Sequence, residues 1–283
     1  METKRVFERI REARPQQLFI VADGARQHVI GEDQLVSDAR AVVAEIDWPC
    51  EVRRNYAEQN LGCGERIASG LDWLFSIVPE SIVLEDDCLP APTFFAFMEL
   101  MLETYRDDER VGMIAGMNYS PEPDLPSSHL FTNFYAVWGW ASWARAWSAY
   151  DRSMLGWPAM RSQNALYGIF RNEGLADWFT SVCDQVAAGG IDTWDVQWFY
   201  SCLQQHRLCV VPSENLVSNI GYSGTRPSPD SKSLGLPTGA FRAASALSPG
   251  EMVPDFAYED RLFSAFIAQD RPILQRIRDM LSL

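Results

Sequence analysis

Over its first 115 residues the chain switches repeatedly between helical and strand periodicity, and that alternation leaves few architectures open to it. Val6, Phe7 and Ile10 mark a short helix, and the apolar run Gln17-Leu18-Phe19-Ile20-Val21-Ala22 follows. Leu35, Val36, Ala39, Val42, Val43 and Ile46 recur at helical spacing, residues 51–55 read as a short strand, and Ile67, Leu71, Leu74 and Val78 form a further helical stripe. A strand at 82–84, a helix through Phe94, Phe97, Met98, Met101 and Tyr105, and a strand at 111–115 complete the series. Strands joined by right-handed helical crossovers build a largely parallel sheet covered on both faces. The predicted fold class is α/β, with a mixed, mostly parallel sheet flanked by helices.

Ligands of such sheets bind beyond the carboxyl ends of the strands. Those ends carry Asp23-Gly24, Asn55 and Glu85-Asp86-Asp87, so three strands are predicted to deliver polar groups to one crevice. The third end is the most pointed, because Ser81-Ile82-Val83-Leu84 runs straight into three carboxylates before Leu89-Pro90 breaks the pattern. Negative charge gathered at a strand end is costly unless a cation or a hydroxyl-rich ligand neutralises it. The competing reading is a solvated turn capping the helix that starts near Thr93. Three acids directly after a buried strand favour a metal or sugar-nucleotide site.

Composition narrows the partners. With 283 residues and 47% hydrophobic content the chain can bury a full core, as one large α/β domain or two small ones. A formal charge of −14 argues against nucleic-acid and anionic-membrane surfaces, and any phosphate bound here needs a bridging cation. Six cysteines without a C-x-x-C pair, and three histidines, provide no zinc-type spacing. Structural thiols, no transmembrane segment, no signal peptide and a cytoplasmic location are expected.

The second half is organised differently. Residues 131–138 read as a strand, 141–205 mostly as helices, and 208–212 and 215–218 as short strands. From 221 to 254 the chain is rich in Gly, Pro and Ser, the pattern of a mobile lid, and helices at 258–268 and 272–281 close it. In Asp192-Thr193-Trp194-Asp195-Val196-Gln197-Trp198 the structural reading is a capping box, with Asp192 as N-cap and Asp195 at the third helical position. The functional reading makes Asp195 a general base at a helix N-terminus, with Trp194 and Trp198 bordering a sugar acceptor. Trp138-Gly139-Trp140 admits a similar pair: plain core, or close approach of a ligand to Gly139 and Trp140. Gly62-Cys63-Gly64-Glu65-Arg66-Ile67 imitates a dinucleotide fingerprint but lacks its third glycine and reads as a helix start. No nucleophile elbow, P-loop or H-E-x-x-H is present.

Taken in order, Val21-Ala22-Asp23-Gly24, Asn60-Leu61-Gly62, Glu85-Asp86-Asp87, Trp138-Gly139-Trp140, Trp194-Asp195-x-Gln197-Trp198 and Asn215-Leu216-Val217-Ser218-Asn219-Ile220-Gly221 resemble the bacterial nucleotide-diphospho-sugar transferases of the GT-A fold. The order is more distantly similar to the N-acetylglucosaminyltransferases that begin complex N-glycan branching, which share a Glu-Asp-Asp and a later Trp-Asp. The likeness runs to about Gly224. It departs at the start: family members open with an apolar strand ending in an Asn-Arg-Pro-like turn, whereas Met1-Glu2-Thr3 already lies on a helical stripe. The resemblance therefore implies a sheet whose first strand is missing.

What it implies for the site follows residue by residue. Asp87 would bind Mn²⁺ (or Mg²⁺) bridging the diphosphate, Asp86 the ribose, and Glu85 the donor sugar together with Gly139 and Trp140. Asp23 would read the base, Arg66 would help position phosphate, and Asp195 would be the catalytic base beside Trp194 and Trp198. The implied activity is inverting transfer of a sugar from a nucleotide-sugar donor, a UDP-sugar, to a glycan or other hydroxyl acceptor. The alternative is a nucleotide-sugar or glycan-binding module without turnover. The implied organisation is a nucleotide-sugar-binding half at 1–118, an acceptor and catalytic half at 119–223, and a mobile loop with C-terminal helices at 224–283.

Overall fold

A computed structural model describes residues 2–121, 127–221, 237–241 and 251–267. In chain order the first part is α1 (Glu2–Ala13), β1 (Gln17–Ala22), α2 (Glu32–Val42), β2 (Glu51–Tyr56), α3 (Cys63–Phe75), β3 (Glu80–Val83), β4 (Cys88–Pro90), α4 (Phe94–Thr104) and β5 (Val111–Ala115). The rest is β6 (His129–Thr132), β7 (Trp140–Trp143), α5 (Ala144–Trp147), α6 (Trp157–Ser162), α7 (Leu166–Ile169), α8 (Glu173–Ala187), α9 (Asp195–Gln204), β8 (Leu208–Pro212), β9 (Val217–Asn219) and α10 (Phe256–Leu262), which runs into a π-helical turn, Phe263–Ile267. The architecture is mixed α/β, a central sheet flanked by helices. The expected mobile stretch 224–254 and last helix 272–281 lie outside the described residues, apart from 237–241 and 251–254.

The central sheet has five strands in the order β3-β7-β5-β8-β6. Strands β3, β5 and β8 share one direction and β7 and β6 oppose it, so only β5 and β8 pair in parallel. Strand β5 is buried at every residue, and its Val-Gly-Met-Ile-Ala sequence has no alternation to show because both faces are covered. Against this sheet α4 turns Phe94, Phe97, Met98, Met101 and Leu102, an i, i+3, i+4, i+7, i+8 stripe. Each such side chain contributes about 1.5–3 kcal/mol on leaving water. Nine of the ten residues of α9 are buried, so that helix runs through the core rather than over it.

Two expectations are corrected here. The early strands do not all join one parallel sheet: β1 and β2 form a parallel pair of their own, and β3 takes β7 as its antiparallel neighbour. The strand predicted at 131–138 lies instead at its two flanks, as β6 and as β7, the latter within a stretch read as the start of a helix. The physical reason is that residues 128–143 are buried throughout, which removes the polar alternation that marks a strand.

Strands β4 and β9 make a short antiparallel ladder, Cys88 opposite Asn219 and Pro90 opposite Val217. This ladder fixes the end of the acidic run against the second half of the chain. Gly139 leads the chain into β7 at φ 61°, and a Cβ there would lie 2.8 Å from Val217 Cγ2 and 3.2 Å from both Leu84 Cδ2 and Phe94 Cε2. Its carbonyl accepts from Gly116 N at 2.7 Å. Gly139→Ala combines a left-handed backbone penalty with overpacking and is expected to cost roughly 2–4 kcal/mol in urea unfolding. A cost below about 0.5 kcal/mol would contradict this packing.

Candidate functional site

Between β3 and β4 the chain turns sharply, with Cys88 N donating to Glu85 O at 3.1 Å. A turn this tight leaves Glu85, Asp86 and Asp87 no room to separate, so their charges share one place. Asp86 is exposed and accepts from Thr3 Oγ1 at 3.3 Å. Asp87 is partly buried, accepting from Asn219 Nδ2 at 3.3 Å and from Cys88 Sγ at 3.4 Å, with Gly221 packed directly on its carboxylate. Its pKa is raised by burial and then by Asp86. The Glu85 carboxyl makes no hydrogen bond among the described residues. Desolvation, then the charges of Asp87, Asp195 and Asp86, push its pKa up to about 8, so it keeps its proton at neutral pH.

Asp195, from the other half of the chain, lies near enough to Glu85 for its charge to raise that carboxyl's pKa. It is 8% exposed at the first residue of α9, where the helix N-terminus favours a carboxylate. Thr193 Oγ1 and Val196 N, the latter at 2.8 Å, both donate to Oδ1. The described residues direct no hydrogen bond to Oδ2. Burial raises the Asp195 pKa and outweighs the lowering effect of those bonds. Behind the carboxyl lies a void of about 20 Å³ walled by aromatic rings that include Tyr119, Trp138, Trp178 and Phe199.

The predicted capping box is not formed. The N-cap of α9 is Trp194, without a side-chain cap, and Asp192 lies instead against Gly62 and Gly64 at the start of α3. A Cβ on Gly64 would also sit 2.8 Å from Thr193 O, so the segment that carries Asp195 rests on the first turn of α3.

That turn is also where Asp23 acts. Its carboxylate accepts from Gly24 N and Asn60 Nδ2 at 2.9 Å each, from Leu61 N, and from Gly62 N at 3.1 Å. These bonds fill the acceptor capacity of a carboxylate, so Asp23 braces the loop into α3 and has no acceptor left to read a base. Arg66, buried one turn into α3, donates from Nη2 to both Asn55 O and Asn55 Oδ1 at 3.0 Å, while its Nε is sealed and without a partner among the described residues. Arg40 of α2 lies over the Tyr56 ring and donates to Asp23 O and Ala57 O at 2.8 Å each. No spacing in the sequence singles out Arg40. The ends of β1 and β2 thus carry a basic corner, and the end of β3 an acidic one, with α3 and 192–195 between them.

The indoles expected to line a sugar, Trp140, Trp194 and Trp198, are buried, as is the segment around Gly139. Trp140 and Trp198 are 0% exposed and Trp194 is 3% exposed. Trp140 stacks on Trp194 at 5.5 Å, and Trp147 meets Trp198 at 5.0 Å. They pack on one another within the core, and the close approach at Gly139 is made by Val217.

Among the described residues no three of His, Cys, Asp and Glu are grouped so as to hold a metal ion by themselves. No Lys, Arg or His pairs with Glu85, Asp86, Asp87 or Asp195 either, so the cluster's charge is uncompensated by the described chain. No helix among the described residues is long and apolar enough to cross a membrane. No protein-family model and no curated protein matches the chain.

The proton on Glu85 has a consequence for stability. Its folded pKa of about 8 lies above the ordinary 4.5, so the folded chain holds a proton that the unfolded chain releases. The stabilising effect of that proton is therefore full below about pH 4.5 and is lost as pH rises towards about 8. In urea unfolding, Glu85→Gln is expected to raise the midpoint relative to wild type at pH 8.5 more than at pH 5. An equal difference at both pH values would contradict a protonated Glu85.

Proposed function

We propose that the chain is a metal-dependent, inverting glycosyltransferase that moves a sugar from a nucleotide-diphospho-sugar, a UDP-sugar, to a hydroxyl acceptor. The observation that carries the reading is that Glu85 feels the charges of Asp87 and Asp86 beside it and of Asp195 from the other half of the chain, with no cation paired to these acids among the described residues. Their order and that of the flanking motifs is the order in which the resembling GT-A enzymes carry their donor and base residues.

Asp87 is the residue suited to hold Mn²⁺ or Mg²⁺. It is desolvated, its own partners are a weak thiol contact and one amide, and a diphosphate would complete the ligand set, so no three-residue group is required. The cation would supply neutralisation of the leaving diphosphate. Glu85, neutral at pH 7, can donate to a sugar hydroxyl as well as accept from one. Asp86 is exposed for the ribose, and Arg66 and Arg40 bring positive charge to the nucleotide end. Asp23 serves by holding the 60–62 loop.

Asp195 has the geometry of a general base. Oδ1 is pinned by Thr193 and Val196, which fixes the carboxyl plane, while Oδ2 is unengaged among the described residues and the carboxyl's basicity is raised by burial. It would take the proton from the acceptor hydroxyl as that oxygen attacks the face of the sugar opposite the diphosphate.

The test pairs two measurements on Asp195→Asn: donor affinity by calorimetry, and turnover of the UDP-sugar with water or an alcohol as acceptor. Turnover should fall roughly 10²–10⁴-fold while donor affinity stays within about threefold, because the acceptor's proton, not the nucleotide, is the partner of this residue. Near-wild-type turnover would return Asp195 to a structural role. Donor binding without turnover in the wild type would favour a nucleotide-sugar-binding module instead.

A further inference from the structure

Helix α10 is fastened by one deeply buried carboxyl. Asp255 caps the helix, accepting from Tyr258 N at 2.8 Å, and its own N–H donates to Phe131 O at 2.7 Å. One turn on, Glu259 is 1% exposed, and its Oε1 accepts from Thr132 Oγ1 at 2.9 Å and Asn133 N at 2.8 Å. Its Oε2 is sealed from solvent and has no partner among the described residues. On the other side Asn172, the N-cap of α8, donates to Asp260 Oδ1 at 2.8 Å, Arg171 lies over the Phe256 ring, and Phe263 packs on Gly174 in the first turn of α8. The helix therefore clasps the end of β6 to the start of α8. It is α8 that contributes Trp178 and Phe179 to the aromatic wall behind Asp195.

An ionised carboxylate is badly served in this seat, since one of its oxygens is buried with nothing to accept from among the described residues, whereas a neutral carboxylic acid needs fewer donors. The charged groups around it offer little relief. On its own element, Asp255 adds a like charge, Asp260 is bonded to Asn172, and the charge of Arg261 acts on Tyr258. On the α8 side Arg171 is engaged over Phe256, and Glu173 is acidic. From the β6 side come the neutral Thr132 and Asn133, with His129 at the far end of the strand kept uncharged by burial, its pKa lowered to about 4.

We propose that the docking of α10 onto β6 is a proton-controlled clasp, closed while Glu259 is protonated and loosened when it ionises, so that pH sets how firmly α8 backs Asp195. Burial holds the Glu259 pKa up to about 7, against the hydrogen bonds of Asn133 and Thr132 that favour the ion. With an ordinary value of 4.5 in the released helix, docking is tightest below about pH 4.5 and weakens as pH rises through about 7.

Hydrogen exchange by mass spectrometry on the full chain, corrected for the intrinsic pH dependence of exchange, reads the clasp directly. Between pH 5.5 and 8.0 protection of the amides at 256–262 should fall roughly twenty- to thirtyfold while β5 stays protected. Glu259→Gln should abolish that fall. Thr132→Val, which removes a donor to the ionised form, should move its midpoint up in pH, and it serves if the glutamine variant does not fold. A flat wild-type profile, or the same fall in Glu259→Gln, overturns the proposal.

Discussion

Carboxylates repel one another, and in a half-buried pocket that repulsion is strengthened because water is no longer there to screen it. The crowding of Glu85, Asp86, Asp87 and Asp195 is the constraint on which the rest of this structure turns. It is imposed by backbone, not chosen by side chains: the β3–β4 turn holds the first three together, the β4–β9 ladder locks that turn to the second half, and the packing of 192–195 on α3 brings the fourth. Protonation of Glu85 relieves part of the repulsion. The proposed function assigns the remainder to a bound cation and a hydroxyl-rich ligand.

Trp140, Trp147, Trp194 and Trp198 pack on one another in the core, while the void beside the Asp195 carboxyl is walled by Tyr119, Trp138, Trp178 and Phe199. The neighbouring basic corner is held just as tightly. Arg66 and Arg40 are anchored on backbone carbonyls and on Asn55, and Asp23 is committed to the loop above them.

Much of this was legible in the sequence, and the failures have physical causes. Strands at 111–115 and 208–212 and the stripe of α4 were readable because apolar runs bounded by turns, and 3.6-residue spacing, report burial directly. The Trp-rich stretch was not, because a strand covered on both faces loses the alternation that identifies it, and indoles suit a sugar platform and a core equally well. Strand ends announced Asp23, Asn55 and Glu85-Asp86-Asp87. What they could not announce was occupancy: that Asp23 is saturated by loop amides and that Asp192 lies on α3 instead of capping α9 are long-range facts. Arg40 and Glu259 each reach their partners from a distant helix and leave no periodic signal.

The central claim is that this pocket binds a nucleoside diphosphate through a cation held by Asp87. The most direct measurement is the melting temperature of the full chain with UDP, with Mn²⁺, and with both, repeated on Asp87→Asn. A ligand specific to the folded state at 100 times its Kd adds about 2.7 kcal/mol of stability, or roughly 2–4 °C per kcal/mol for a chain of this size. The account predicts a rise that requires UDP and Mn²⁺ together and disappears in Asp87→Asn. No rise, or an equal rise without the metal or in the variant, would contradict it.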